Sequence, residues 1–160
     1  MAFSLTYDTE KMDKPILQAL DSTGVATAVH TPGYRVTSDD GRVWQYVLFA
    51  SSGVAAVAGA PAAWAQTTTN MAVTADLSDA GTAGGGIAGC FMSVLTDTYY
   101  GWIQTKGQVV DAPMSTAVSA GDNLYAVTDA TWDTANELSH IVRAIALEDD
   151  TGGYGTIMLL

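Results

Sequence analysis

The chain has 160 residues, 48% of them hydrophobic and 14% charged, and a net charge of −11 with only six Lys or Arg. That is the length of one ordinary domain with ample apolar material for a core, which excludes intrinsic disorder. So few cations argue against a nucleic-acid backbone or an anionic membrane as partner, and favour a basic protein partner or solubility at high copy number.

Residues 1–23 show little period-2 alternation. They carry Asp8, Glu10, Lys11, Asp13 and Lys14 ahead of the apolar run Ile16, Leu17 and Leu20, which reads as an extended arm with one short helical turn after Pro15. Residues 24–30 and 34–37 read as strands around a Thr31-Pro32-Gly33 turn. Ser38-Asp39-Asp40-Gly41 carries Asp-Gly, the strongest short-range hairpin signal in the chain, and leads into the β-branched and aromatic strand 42–50.

Short strands are expected at 54–57, 61–66 and 71–75, then a flexible loop over 76–86. Strands follow at 87–95, 99–105 and 108–112, the last two divided by a Lys106-Gly107 turn, with a further candidate at 114–118. Strands at 123–128, 141–147 and 155–160 complete the set, and 129–137 reads as a polar loop. Leu138, Ile141, Val142 and Ile145 also fit helical spacing, but the β-branched pair favours a strand. Much of the hydrophobic share is alanine, expected largely on small-residue surfaces.

A weak internal repeat runs through the chain. Residues 57–64, 86–91 and 97–103 form one copy; residues 119–127, 142–148 and 150–157 form the other. Each reads as a Gly turn, a strand, a linker, a strand, an Asp-Thr turn and a last strand, and repeats decide architecture. The expectation is an all-β fold: a compact β-barrel or β-sandwich built from two weakly repeated modules, with an extended N-terminal arm. The arm and first hairpin occupy 1–37 and the compact unit 38–160.

The motifs that could carry chemistry are weak. Gly84-Gly85-Gly86-Ile87-Ala88-Gly89 matches G-x-G-x-x-G, but a dinucleotide site needs a helix after it, and Cys-Phe-Met-Ser-Val reads as strand. Asp150-Thr151-Gly152 matches the D-T-G of aspartic proteases, yet Leu147-Glu148-Asp149 before it is not the apolar strand that would bury such an Asp; a hairpin turn fits better. Glu137 and His140 have E-x-x-H spacing, which supplies two ligands where a metal site needs more. Asp129, Asp133, Asp149 and Asp150 lack any calcium-loop spacing. Cys90 is the single cysteine, so no intrachain disulfide and no cysteine metal site is possible, and its apolar surroundings mark it as a buried small hydrophobe. The N-terminal residues show no charged stretch followed by an apolar one, so no secretory signal is expected, and the uncharged stretch 43–75 is too broken by Gly, Pro and Thr for a membrane span. No catalytic residue, cofactor or metal is assigned. Trp132, in the polar loop, is the aromatic best placed to anchor a partner, with core capping as the alternative.

Three segments, Asp39-Asp40-Gly41-Arg42-Val43-Trp44-Gln45-Tyr46-Val47, Val57-Ala58-Gly59-Ala60-Pro61 and Gly101-Trp102-Ile103-Gln104-Thr105-Lys106-Gly107, resemble small structural proteins of tailed-bacteriophage heads. So do Ala120-Gly121-Asp122-Asn123-Leu124-Tyr125, Ala144-Ile145-Ala146-Leu147-Glu148-Asp149 and Gly155-Thr156-Ile157-Met158-Leu159. The pattern, over residues 41–160, is similar to that of capsid decoration (cement) proteins. The resemblance implies a non-enzymatic β-domain on the outside of a virion, acting as a homotrimer or other homo-oligomer that binds the major capsid protein and bridges capsomers, without nucleic acid or membrane. Expected partner contacts are Tyr7, Ile16, Leu17 and Leu20 of the arm, and Trp132. The alternatives are a head-fibre, tail or adsorption module contacting host glycans, and a dimeric aspartic protease.

Overall fold

The Asp-Gly turn forms as its sequence requires. In the computed structural model, which describes residues 30–50, 53–65, 71–77, 86–115, 117–126, 130–134 and 144–160, β1 (Arg35–Thr37) pairs antiparallel with β2 (Val43–Phe49) around it. Gly41 takes φ +84°, a conformation open to a residue without Cβ. Its N–H donates to Ser38 O at 3.0 Å, and Ser38 N–H donates to Arg42 O at 2.9 Å.

β2 is the organising strand. Along one edge it pairs antiparallel with β6 (Tyr100–Pro113), with Tyr46 opposite Trp102. Along the other edge β1 lies at residues 43–45, and β4 (Ala72–Thr74) lies parallel to it at Leu48 and Phe49. β4 pairs with β3 (Pro61–Trp64), β3 with β5 (Ile87–Phe91), and β5 with β6, all antiparallel. The ring β2-β4-β3-β5-β6 therefore closes into a five-stranded barrel, which leaves none of its strands with two open edges.

So narrow a barrel must be filled by a few large side chains set among small ones. Val47, Phe49, Val73, Phe91, Leu95 and Ile103 supply the bulk, and Ala56, Ala60, Ala62 and Ala75 sit between them, all buried. Phe49 and Phe91 meet edge to face at 5.4 Å. These four alanines are interior while Ala55, Ala58, Ala117 and Ala120 are exposed, so the expectation of surface alanines fails within the barrel: closing five strands into a ring leaves no room for larger side chains at every inward position.

β6 continues past the barrel into a second antiparallel sheet with β9 (Tyr154–Leu159), β8 (Ala144–Ala146) and β7 (Asn123–Leu124), in the order β6-β9-β8-β7. Bridges from Tyr125 to Asp133 and from Trp132 to Met114 carry this sheet back toward the end of β6. The two sequence repeats correspond to the meanders β3-β5-β6 and β7-β8-β9, whose last strands pair with each other. All-β architecture around a barrel is what the turn spacing implied.

Three expected elements differ. The candidate strand 114–118 is reduced to an isolated bridge at Met114, with 117–118 in no strand. Residues 54–57 form no strand; Val57 O accepts from Ala60 N in a turn, and Ala56 packs into the barrel. Residues 99–105 and 108–112 are not two strands divided at Lys106-Gly107 but one strand of 14 residues. Gly107, at φ +99°, lets the strand change partner from β2 and β5 to β9 without reversing. Gln104 holds the change in place, its Nε2 donating to Lys106 O at 3.1 Å and Gln108 O at 2.9 Å. The expected strand 24–30 lies outside the described residues except for His30, which is in no strand. Of the helical alternative at 136–147, residues 136–143 lie outside the described residues, and Ile145 stands in strand β8, as the β-branched pair implied.

Candidate functional site

Trp132 lies in a segment whose neighbours are polar, but the structure puts it at 0% exposure, inside the cluster that also holds Cys90, Val109, Leu124 and Ile157. Its Nε1 donates to Gly59 O at 3.0 Å. The bridges at Met114 and Tyr125 turn this side chain inward, so it has no surface to offer a partner; its expected role as an exposed anchor is corrected to that of a core element. The other expected contacts, Tyr7, Ile16, Leu17 and Leu20, lie outside the described residues.

The residues weighed for catalysis have structural duties. Asp150 Oδ1 accepts from Val118 N at 3.1 Å and Oδ2 from Gly153 N at 3.2 Å. Oδ2 therefore caps the turn between Leu147 and β9, as expected of an Asp that closes a turn, and Oδ1 ties that turn to Val118. Asp149 does the same for Ala120 N at 2.9 Å. Asp133 accepts from Ser115 Oγ at 2.6 Å. Among the described residues, no group of three or more His, Cys, Asp and Glu is placed to hold a metal ion. Gly86 leads straight into strand β5, not into a helix, so nothing at this turn presents a helix N-terminus to a pyrophosphate. Glu137 and His140 lie outside the described residues.

Cys90 is fully buried, and burial pushes its thiol well above the ordinary cysteine value. A thiol that stays protonated is neither nucleophile nor metal ligand. Asp40 shows the opposite effect at the surface: Ser38's hydroxyl first, then the Arg42 backbone N–H and guanidinium, hold its carboxyl down at about 2. Arg42 Nε reaches Asp40 Oδ2 at 2.7 Å while its guanidinium lies 5.0 Å from the Trp44 ring centre.

The aromatic residues gather on the outer face of the barrel. Trp44, Tyr46 and Trp102 project from β2 and β6, on the side opposite Val47 and Ile103, and all three are buried. His30 covers them, 5.5 Å from Tyr34 in a stacked pair and 5.2 Å from Tyr46 edge-on. This satellite core fastens the chain ahead of β1 to the barrel wall, with Tyr34 its most exposed ring and His30 and Tyr100 partly buried.

A cleft of about 850 Å³ opens where β6 leaves the barrel, lined by Arg42, Gln104, Lys106, Val110, Asp111 and Met158 among others. Gln104 is buried there, and its Oε1 has no hydrogen-bond partner among the described residues. The cleft runs onto the outward face of β6-β9-β8, where Val110 is 62%, Tyr154 52% and Leu147 44% exposed. Nothing in the residue pattern marked that face, because each apolar residue sits alone in sequence and only strand register brings them together. Among the described residues no helix is long and apolar enough to cross a membrane.

No protein-family model and no curated protein matches the chain. Among solved structures, the chain is similar to the N base of head fiber gp8.5 in bacteriophage phi29, with 12% identity and a TM-score of 0.49 over 73% of this chain and 94% of that one.

Proposed function

We propose that the chain is a virion structural protein that binds the outer surface of a phage capsid and stabilises the shell by bridging major capsid proteins. The observation that carries this reading is where the segments that resemble capsid decoration proteins fall. They cover the turn before β2 and most of β2, the turn into β3, the first half of β6, and β7, β8 and most of β9, and β2 and β9 both pair on β6. The segments that resemble that family thus meet along one strand. The engagement of Asp150, Asp149 and Cys90 in turns and core supports a non-enzymatic role. Many weak contacts repeated over a symmetric lattice sum to a large stabilisation, so a small acidic β-domain suffices for the task.

The arm residues Tyr7, Ile16, Leu17 and Leu20 are the proposed capsid contacts. Removing residues 1–20 is expected to abolish shell binding while the far-ultraviolet circular dichroism of the rest is kept; undiminished binding would overturn the arm's role. The test of the function itself is quantitative protein staining of purified virions. A ratio to the major capsid protein near parity, with shells that lose heat resistance when the chain is removed, is the expected result. A few copies per particle would favour a head-fibre or adsorption module, and absence from virions would defeat the reading.

A further inference from the structure

Strand register arranges the outward face of the second sheet in rows. Gln108 lies opposite Met158, Met158 opposite Ile145, and Ile145 opposite Asn123, so the central row has no charge. Two residues along β6 toward the barrel stands Lys106, exposed and without a carboxylate partner among the described residues. Two residues the other way the strand bulges, with Val110 and Asp111 both exposed between the paired residues Val109 and Ala112. Beyond them Leu147 is exposed, and Glu148 accepts from the Thr156 hydroxyl across the same face. The face thus carries Lys106 at one end, beside the Arg42–Asp40 pair that lines the same cleft, an uncharged row in the middle, and Val110 and Leu147 among the acids Asp111 and Glu148 at the other.

We propose that two copies of this chain associate through this face about a two-fold axis passing near Met158. An isologous contact sets each residue against its counterpart across the axis. With the axis on the central row, Lys106 of one copy meets Asp111 or Glu148 of the other, twice over, while Val110, Met158 and Leu147 lose contact with water. The charge pattern selects a second copy over an unrelated protein, because it is complementary to itself. It also lets two molecules of net charge −11 meet where they do not oppose acid to acid. The proposal is independent of the capsid role.

Sedimentation of the full chain over a range of concentrations tests it. The wild type is expected to dimerise. Val110→Glu and Leu147→Glu, both at exposed positions that leave the core untouched, are expected to weaken association by about tenfold or more. Val94→Glu, exposed in the loop between β5 and β6, is the control and is expected to dimerise normally. Lys106→Glu is expected to weaken the dimer, and Lys106→Glu combined with Asp111→Lys to restore it. A wild type that stays monomeric throughout, or a charge-reversed pair that restores nothing, overturns the proposal. So does a monomer whose Val110→Glu variant no longer binds shells, which would assign the face to a different protein.

Discussion

At the scale of single residues, Trp132 shows how a side chain in polar sequence becomes central to a core. It fills the space between the barrel and the second sheet and donates to a carbonyl of the turn before β3. Trp132→Phe keeps much of the volume but leaves Gly59 O without its donor, at a cost of about 1–3 kcal/mol. Trp132→Ala adds a cavity and is expected to cost about 3–5 kcal/mol, both read from urea unfolding. Asp40 makes a pH-dependent contribution of known sign. Its carboxyl titrates at about 2 in the folded chain against an ordinary 3.8, so it stabilises above the ordinary value and ceases to do so as pH falls through 2. Asp40→Asn is expected to lower stability at neutral pH and to flatten its fall as pH drops from the ordinary carboxylate value towards 2, read from acid-unfolding curves. The buried Cys90 thiol is expected to react with a thiol reagent only as fast as the chain unfolds.

At the scale of elements, β6 is the strand on which the fold turns, and glycine placement shows why. Gly59 takes φ +77°, and a Cβ there would lie 2.8 Å from Asp111 O and 2.9 Å from Ala112 Cα, both backbone. Gly121 takes φ +92° with nothing within 4 Å of such a Cβ. Gly121→Ala is therefore expected to cost about 1–2 kcal/mol, the conformational penalty alone. Gly59→Ala carries the same penalty plus displacement of β6, and its urea midpoint is expected to fall distinctly further; equal midpoints would mean that the turn does not rest against β6. In β5, a Cβ on Gly89 would overlap the carbonyl of Gln104, which accounts for glycine at the point where β5 meets β6. The sequence displayed the strands flanking Lys106-Gly107 well enough, but a Gly between two strand patterns reads as a turn. Only the pairing of Gly107 with Leu159, and the Gln104 amide over the bend, make it a continuous strand.

At the scale of the whole molecule, the barrel and the second sheet are two rings built on one strand. β6 belongs to both, and the Trp132–Gly59 bond ties the far side of the second ring to the barrel. Unfolding either ring exposes the other's β6 edge, so the described body is expected to unfold in one cooperative step. Near-ultraviolet dichroism, which reports the buried tryptophans, is expected to coincide with far-ultraviolet dichroism through the urea transition; separate transitions would show the rings to be independent.

Strand content, the Asp-Gly hairpin, the two repeated modules and the burial of Cys90 were legible in the sequence, because each is set by local backbone preference or by side-chain polarity along a few residues. Which edges join was not. Closure of the barrel depends on β2 pairing with β4 and β6 at once, over separations of dozens of residues that no local pattern encodes. Closure also decided that Ala56, Ala60, Ala62 and Ala75 lie inside, that Trp132 faces inward despite its polar neighbours, and that Val110, Met158 and Leu147 share one outward face. Side-chain direction in a sheet follows from register, and register is fixed only when the strands meet.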